Sequence, residues 1–354
     1  MTDLFIKFTL LVWPFGHFLS ARVGESSIIP LLDILALATL LSSLPKILRS
    51  KKIITKDALF RPIIVFLAIS ALSLLIRIPE LGIAEILKSS LYLLRLVAYF
   101  CLYFTFRVYP VRKYLDYVKL AALLFVVFGM IQYLFSPNMS FIQYIGFDDH
   151  FYRLIGTLLD PNYTGALLSA FSVLFLAQNQ FKLSLAILIP LAFTFSRASY
   201  LSFLIPALIF SITKKKYLLF VLPIFLALAI FIAPKPFGEG VNLFRTFSIT
   251  SRLGSVQQGL SLFAHRPILG WGYNTLTSES GRVGIDNSFI FLLATTGLAG
   301  LVSFLYLLRE AFWRKSPAIK LSVLSILVHS LFNNTIFLPW VLSYLILLMV
   351  IDEI

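Results

Sequence analysis

Long apolar runs divided by short polar connectors set the pattern of this chain. Three of them, Ala84–Phe106, Tyr117–Phe135 and Asn287–Leu308, span 19 to 23 residues, about the length that crosses a hydrocarbon core of roughly 30 Å. Lipid satisfies no backbone hydrogen bonds, so such runs predict helices. The first six are Leu4–Ser20, Ile28–Leu44, Pro62–Ile76, Ala84–Phe106, Tyr117–Phe135 and Tyr163–Gln178. The others are Leu183–Phe195, Tyr200–Ile212, Tyr217–Ala233, Asn287–Leu308, Ile319–Phe332 and Ile336–Ile351. The expectation is an all-α integral membrane protein with about twelve transmembrane helices. Leu183–Phe195 and Tyr200–Ile212 are short but are kept apart, because merging them reverses the charge logic of every later connector.

Two connectors are long, Ser136–Asn162 and Pro234–Asp286. Within the second, Arg252 to His265 places Leu253, Val256, Leu260 and Phe263 on one helical face. That spacing predicts a helix lying on the membrane or the bundle and ended by Pro267; an ordinary amphipathic connector has the same period. Gly270-Trp271-Gly272 then predicts a turn-rich return toward the bundle. No internal repeat is visible, so residues 1–354 form a single polytopic membrane domain.

Composition agrees with the pattern: 59% of residues are hydrophobic and only 13% are charged, which excludes an ordinary soluble globular protein. The net charge of +14 raises nucleic acid as a partner, but the position of the charges argues against it. They gather in alternate connectors, at Lys46–Lys56, Arg107–Lys113, Lys214–Lys216 and Arg309–Lys315. The positive-inside rule then puts both termini in the cytoplasm and 234–286 outside. The first run lacks a basic leader and a small-residue cleavage site, so it is expected to be a retained helix. Cys101 is the only cysteine, and neither a disulfide nor a cysteine-based zinc site forms within one chain.

Polar residues in so apolar a chain are the candidates for chemistry. Arg197 falls at the outer surface, against the charge bias, where its planar fork suits a phosphate; an interfacial arginine reaching for headgroups is the plainer alternative. Arg252, with Arg245 and Arg266 nearby, offers further guanidinium groups for a lipid diphosphate or for headgroups. Asp286-Asn287 opens an apolar run, where Asp286 is either a helix cap or a carboxylate base. Asn287 would hold sugar hydroxyls or orient the acid. Arg153, Asp160 and Asn162 lie in the other long connector, and Pro161 makes Asp160 a plausible cap. Asp148-Asp149-His150 lacks the further ligands a metal ion needs. Arg95 sits mid-run, so it must face protein or water, with Asp33 the best acidic candidate; the pair either braces the bundle or lines a path. His17 and His329 are expected to be satisfied bundle residues.

Taken in order, RLIGTLLDPNYTGALL at Arg153–Leu168, TFSRASYLSF at Thr194–Phe203, and the SRL, HRPILGWGYNT and DNSFIFLLATTGLAG phrases of Ser251–Gly300 resemble the O-antigen ligase and polymerase superfamily of bacterial envelopes. The motif-bearing region runs over residues 153–308. The resemblance implies a GT-C-like fold and a glycosyltransferase that takes its glycan from undecaprenyl diphosphate at the outer face of the cytoplasmic membrane. Partners would be that lipid-linked donor, a glycan or lipid acceptor, membrane lipid and envelope-assembly proteins. Arg197 and Arg252 match the family's arginines, which would hold the diphosphate, with Arg266, Arg153, Asp160 and Asn162 as further substrate contacts. Asp286 takes the place of the histidine of the ligases' His-Asn pair, as base, and Asp-Asn looks more like the exopolysaccharide polymerases. The implied reaction inverts the anomeric carbon and uses no metal or other cofactor. A transporter of lipid-linked glycans is the alternative from another class, and it would concentrate polar residues near the bilayer midplane.

Overall fold

A computed structural model describes residues 1–23, 27–215, 221–235, 239–276 and 284–351. Lys216 of the basic connector and the start of the run at Tyr217 fall outside the described residues, as do Ser278 and Arg282. Fourteen α-helices occur among the described residues: α1 Thr2–Val12, α2 Leu31–Arg49, α3 Lys51–Thr55, α4 Phe60–Leu75, α5 Ile83–Val108, α6 Leu115–Phe135 and α7 Pro161–Ala177 open the series. It closes with α8 Phe181–Phe193, α9 Arg197–Thr213, α10 Val221–Ile232, α11 Phe247–His265, α12 Ser288–Phe312, α13 Pro317–His329 and α14 Pro339–Val350. A small antiparallel hairpin, β1 Ser20–Val23 and β2 Ser27–Pro30, joins the first helical run to α2 and sets Ala21 opposite Ile29. The apolar pattern had not predicted it.

Each predicted apolar run contains a helix, but their lengths differ. Five segments are long and apolar enough to cross a bilayer: Leu31–Arg49, Phe60–Glu80, Ile83–Val108, Val111–Phe135 and Ser288–Phe312. Helices α7 to α10, α13 and α14 are apolar but shorter, with 12 to 17 residues each. At 1.5 Å per residue they extend about 18–26 Å, less than a full hydrocarbon core. The chain is a polytopic, helical membrane protein. The break between α8 and α9 falls where the charge logic required one.

Helices α7, α9 and α13 pack together at the centre, and small polar residues line their contact. Ser169 hydrogen-bonds Ser202 of α9 at 2.7 Å and Ser325 of α13 at 3.0 Å. Ser172 reaches Ser184 of α8 at 2.9 Å, and Ser322 reaches Tyr344 of α14 at 2.8 Å. Apolar packing between helices gains little in lipid, so close approach of small residues and buried hydrogen bonds fix the register instead.

Helix α12 is broken at Gly297, whose backbone adopts φ 68° and ψ −168°. The turn after α11 fills the break. Leu298 and Ala299 donate to the carbonyls of Pro267 and Ile268, while Trp271 and Gly272 donate to those of Ala294 and Thr295. Non-helical backbone survives inside an apolar bundle only when protein takes up its freed groups. A β-carbon at Gly297 would meet the Ile268 carbonyl oxygen at 2.2 Å, and one at Gly270 (φ 65°) would meet Thr295 backbone at 2.5 Å. Two glycine-bearing phrases thus form one joint, and the return predicted at Gly270-Trp271-Gly272 is anchored to α12.

Candidate active site at one end of the bundle

The turn between α8 and α9 carries the first candidate. Phe195 has φ 48°, an uncommon value for a bulky side chain. Helix α8 ends there with carbonyls that no helical amide can reach. Arg153 takes up two of them, donating from Nε to Thr194 at 2.9 Å and from Nη2 to Phe195 at 3.4 Å. Arg245 adds a third bond, from Nη2 to Phe195 at 3.2 Å. Positive charge at a helix C-terminus is favoured by the helix dipole as well. Arg153, expected as a substrate contact, is buried and bonded to this turn.

The turn delivers Arg197 to the first position of α9. Ser196 caps that helix, accepting from the Ser199 amide and donating to Asn162 Oδ1 at 2.8 Å. Asn162 follows Asp160, which caps α7 by accepting from the amides of Asn162 at 2.6 Å and Tyr163 at 3.2 Å. Asp160 and Asn162 therefore tie the starts of α7 and α9 together. Arg197 reaches outward, donating to Leu243 O at 3.0 Å and Ser248 Oγ at 2.7 Å. Those contacts draw the long loop, and the start of α11, over the end of α9.

Helix α11 brings the second candidate. Arg252 Nη2 donates to Asn333 Oδ1 at 3.3 Å, in the loop between α13 and α14. One turn later, Ser255 Oγ accepts from the Asp286 amide at 2.9 Å, so α11 fixes the segment that carries the acid. Asn287, not Asp286, caps α12: its Oδ1 accepts from Phe289 and Ile290 at 2.8 and 3.1 Å. Asn287 Nδ2 donates to Leu331 O at 2.8 Å, and the residue is 9% exposed. Both ends of the Asn287 amide thus serve the fold. The Asp286 side chain has no hydrogen-bond or ion-pair partner among the described residues, and it is half-buried.

Charge concentrates around these groups. Arg252 lies within electrostatic reach of Asp286, Arg197 and Asp160, in that order of strength. Burial raises the Asp286 carboxyl above its ordinary value, Arg252 opposes the rise, and Asp160 adds to it. Burial also raises Asp160, against the pull of its two amide donors and of Arg153 and Arg252. Burial lowers Arg252, with Asp286 opposing and the like charge of Arg197 contributing. Arg252 is thus coupled electrostatically to both Asp286 and Arg197 at one end of the bundle.

Other candidates lie elsewhere. Arg266 pairs with Glu80 at 2.8 Å and stacks over Trp271 at 4.1 Å, which pins the joint at α12. Arg95 pairs with Asp33 at 2.6 Å, and Tyr99 donates to the same carboxylate at 3.0 Å. His329 is buried with both ring nitrogens engaged, on Ser199 at 3.2 Å and Thr335 at 2.7 Å. Asn333 was missed from sequence. Its signal was present in Phe332-Asn333-Asn334-Thr335, a polar pair in the short link between two apolar runs.

No curated protein matches the chain in sequence. A family model described as O-antigen ligase matches residues 182–305, which contain Arg197, Arg252, Asp286 and Asn287 but not Arg153, Asp160 or Asn333. The superfamily that the ordered motifs resemble is thus found again: residues 182–305 are similar to the O-antigen ligase family, which supports a membrane enzyme of O-antigen or other glycan assembly.

Proposed function

We propose that the protein is a glycosyltransferase of the cytoplasmic membrane, moving a glycan from undecaprenyl diphosphate to an acceptor hydroxyl at the outer face. One observation carries this reading: the Asp286 carboxylate has no hydrogen-bond or ion-pair partner among the described residues, yet it is coupled electrostatically to Arg252, which in turn feels the charge of Arg197. A carboxylate kept only for the fold would be capping α12 or paired, and Asn287 already does the capping.

Arg197 and Arg252 hold the donor's diphosphate and stabilise charge as it grows on the leaving oxygen. Asp286 takes the proton of the acceptor hydroxyl while that oxygen bonds the anomeric carbon. The bond from carbon to diphosphate oxygen breaks, and undecaprenyl diphosphate leaves with the electron pair. Attack from the opposite face inverts the anomeric configuration. A raised carboxyl pKa makes Asp286 a better base than an exposed aspartate.

Asp286-Asn287, in place of the ligases' His-Asn, favours polymerisation of repeat units. Ligation to a different acceptor is the second reading, favoured by the description of the matching family. The test supplies purified protein with undecaprenyl-diphosphate oligosaccharide and no nucleotide sugar. A ladder of lengthening chains is the expected product, whereas single transfers to an added lipid acceptor would establish ligation. Movement of the lipid-linked glycan across sealed vesicles without any new glycosidic bond would replace both with transport.

A further inference from the structure

A cavity of about 280 Å³ opens between α5, α12, α14 and the first residues of α7, with β2 along one side. Its wall includes Tyr92, Arg95, Tyr163, Tyr273, Asn274 and Asn334. We infer that this cavity binds one neutral sugar residue of the glycan, held beside the bond that is made or broken.

Charge is the first argument. Arg95 donates from Nε and Nη2 to one oxygen of Asp33, at 2.7 and 2.6 Å, and Tyr99 occupies the other oxygen at 3.0 Å. The pair is compensated, so it gives little net attraction to a phosphate. It does hold the Arg95 guanidinium in one orientation at the cavity wall. The guanidinium also lies over the Tyr92 ring at 4.7 Å, which locks that ring in place. Arg197 and Arg252, by contrast, repel each other as like charges and suit an anion.

Polar satisfaction is the second argument. Asn334 lines the cavity, and its buried Oδ1 has no hydrogen-bond partner among the described residues. An orphaned buried acceptor is costly, and a rotation of the Asn334 side chain that turns its amide to a hydroxyl in the cavity would remove the cost. Fixed aromatic rings with a few directed amide and guanidinium groups match the mixed polar and C–H surface of a pyranose. A hydrocarbon chain would leave the Asn334 Oδ1 without a hydrogen-bonding partner. The volume, near the small end of ligand cavities at roughly 300 Å³, suits one ring and excludes a whole repeat unit.

Position is the third. Tyr163 lines the cavity and lies within electrostatic reach of Asp160, Asp286 and Arg252. Asn334 adjoins Asn333, the partner of Arg252. The inference rests on the proposed transfer for its place beside the reacting bond, but sugar binding itself is independent of catalysis.

The test measures binding to full-length protein in nanodiscs with two probes. One is the oligosaccharide released by mild acid from the lipid-linked pool of the source cells; the other is undecaprenyl diphosphate without sugar. Asn334→Leu and Tyr92→Leu are expected to weaken oligosaccharide binding about tenfold or more, the loss of one good hydrogen bond or packing contact. Both should keep undecaprenyl diphosphate. Asn334→Ser serves if the leucine variant does not fold, and should give a smaller loss of the same kind. In turnover, a raised KM for donor or for acceptor tells which sugar occupies the cavity. Oligosaccharide binding that is absent from the wild type, or unchanged in every cavity variant, overturns the inference. Undecaprenyl diphosphate binding that ignores Arg197→Gln and Arg252→Gln would sink the proposed diphosphate site and leave the cavity standing.

Discussion

Asp286 and Asn287 are neighbours with separate tasks. Asp286→Asn keeps shape and leaves the cap of α12 untouched, since Asn287 supplies it. Turnover should fall about 10²–10⁴-fold, with donor binding retained and no change in unfolding temperature. The pH profile carries a second readout. Because burial raises the Asp286 pKa, the base is lost to protonation at a higher pH than an exposed aspartate would be. The wild type should therefore lose activity on its acid side above the ordinary carboxylate range, and the residual activity of Asp286→Asn should lack that limb. Asn287→Ala should behave in the opposite way. It removes two amide contacts and the bond to Leu331, costing about 1–2 kcal/mol of stability, seen as a lower thermal midpoint. Near-normal turnover by Asp286→Asn would end its assignment as base.

At the scale of elements, three irregularities build the site: the turn at Phe195, the caps of α7, α9 and α12, and the break at Gly297. None is a regular helix, yet each lies between regular apolar helices that hold it. Gly297→Ala forces a β-carbon against the Ile268 carbonyl in a region of backbone space that only glycine tolerates. A cost of about 3 kcal/mol or more is expected, read as reduced yield of monodisperse protein and a lower midpoint. The joint it disturbs links α12 to the turn that follows α11, so Asp286 should lose its register with Arg252. Gly254→Ala on α11 is the matching control. Its β-carbon meets nothing within 4 Å and alanine suits a helix interior better than glycine, so stability should rise by about 0.5–1 kcal/mol.

Across the whole molecule, the site requires α11 and the Asp286 segment to lie on the outer side of the membrane, with the Lys214–Lys215 end of α9 on the cytoplasmic side. Ser251 is an exposed position on α11, unlike Ser255, which is buried against the Asp286 segment. In a Cys101→Ser background, Ser251→Cys should react with an impermeant thiol reagent in intact cells. A cysteine at Lys214 should react only after lysis. The reverse pattern would place the arginine pair in the cytoplasm and remove it from glycans exported on undecaprenyl diphosphate.

The amino-acid sequence by itself determined the helical runs, their order and the separation of α8 from α9. Those features follow from the cost of unpaired backbone in lipid and from the sorting of basic connectors, and both act locally along the chain. It also offered Arg197, Arg252 and Asp286 as candidates, because polar residues are rare enough in so apolar a chain to stand out. Only the tertiary structure decided what each polar group does. Arg153 and Asn162 brace turns, Arg266 serves a joint, Asn287 rather than Asp286 caps α12, and Arg95 turns to Asp33. Arginine near the membrane surface looks the same in sequence whether it meets a carbonyl, a carboxylate or a substrate. Its role depends on which unpaired acceptor the packing of distant helices brings within about 3 Å, and hydrophobic periodicity carries no information about that.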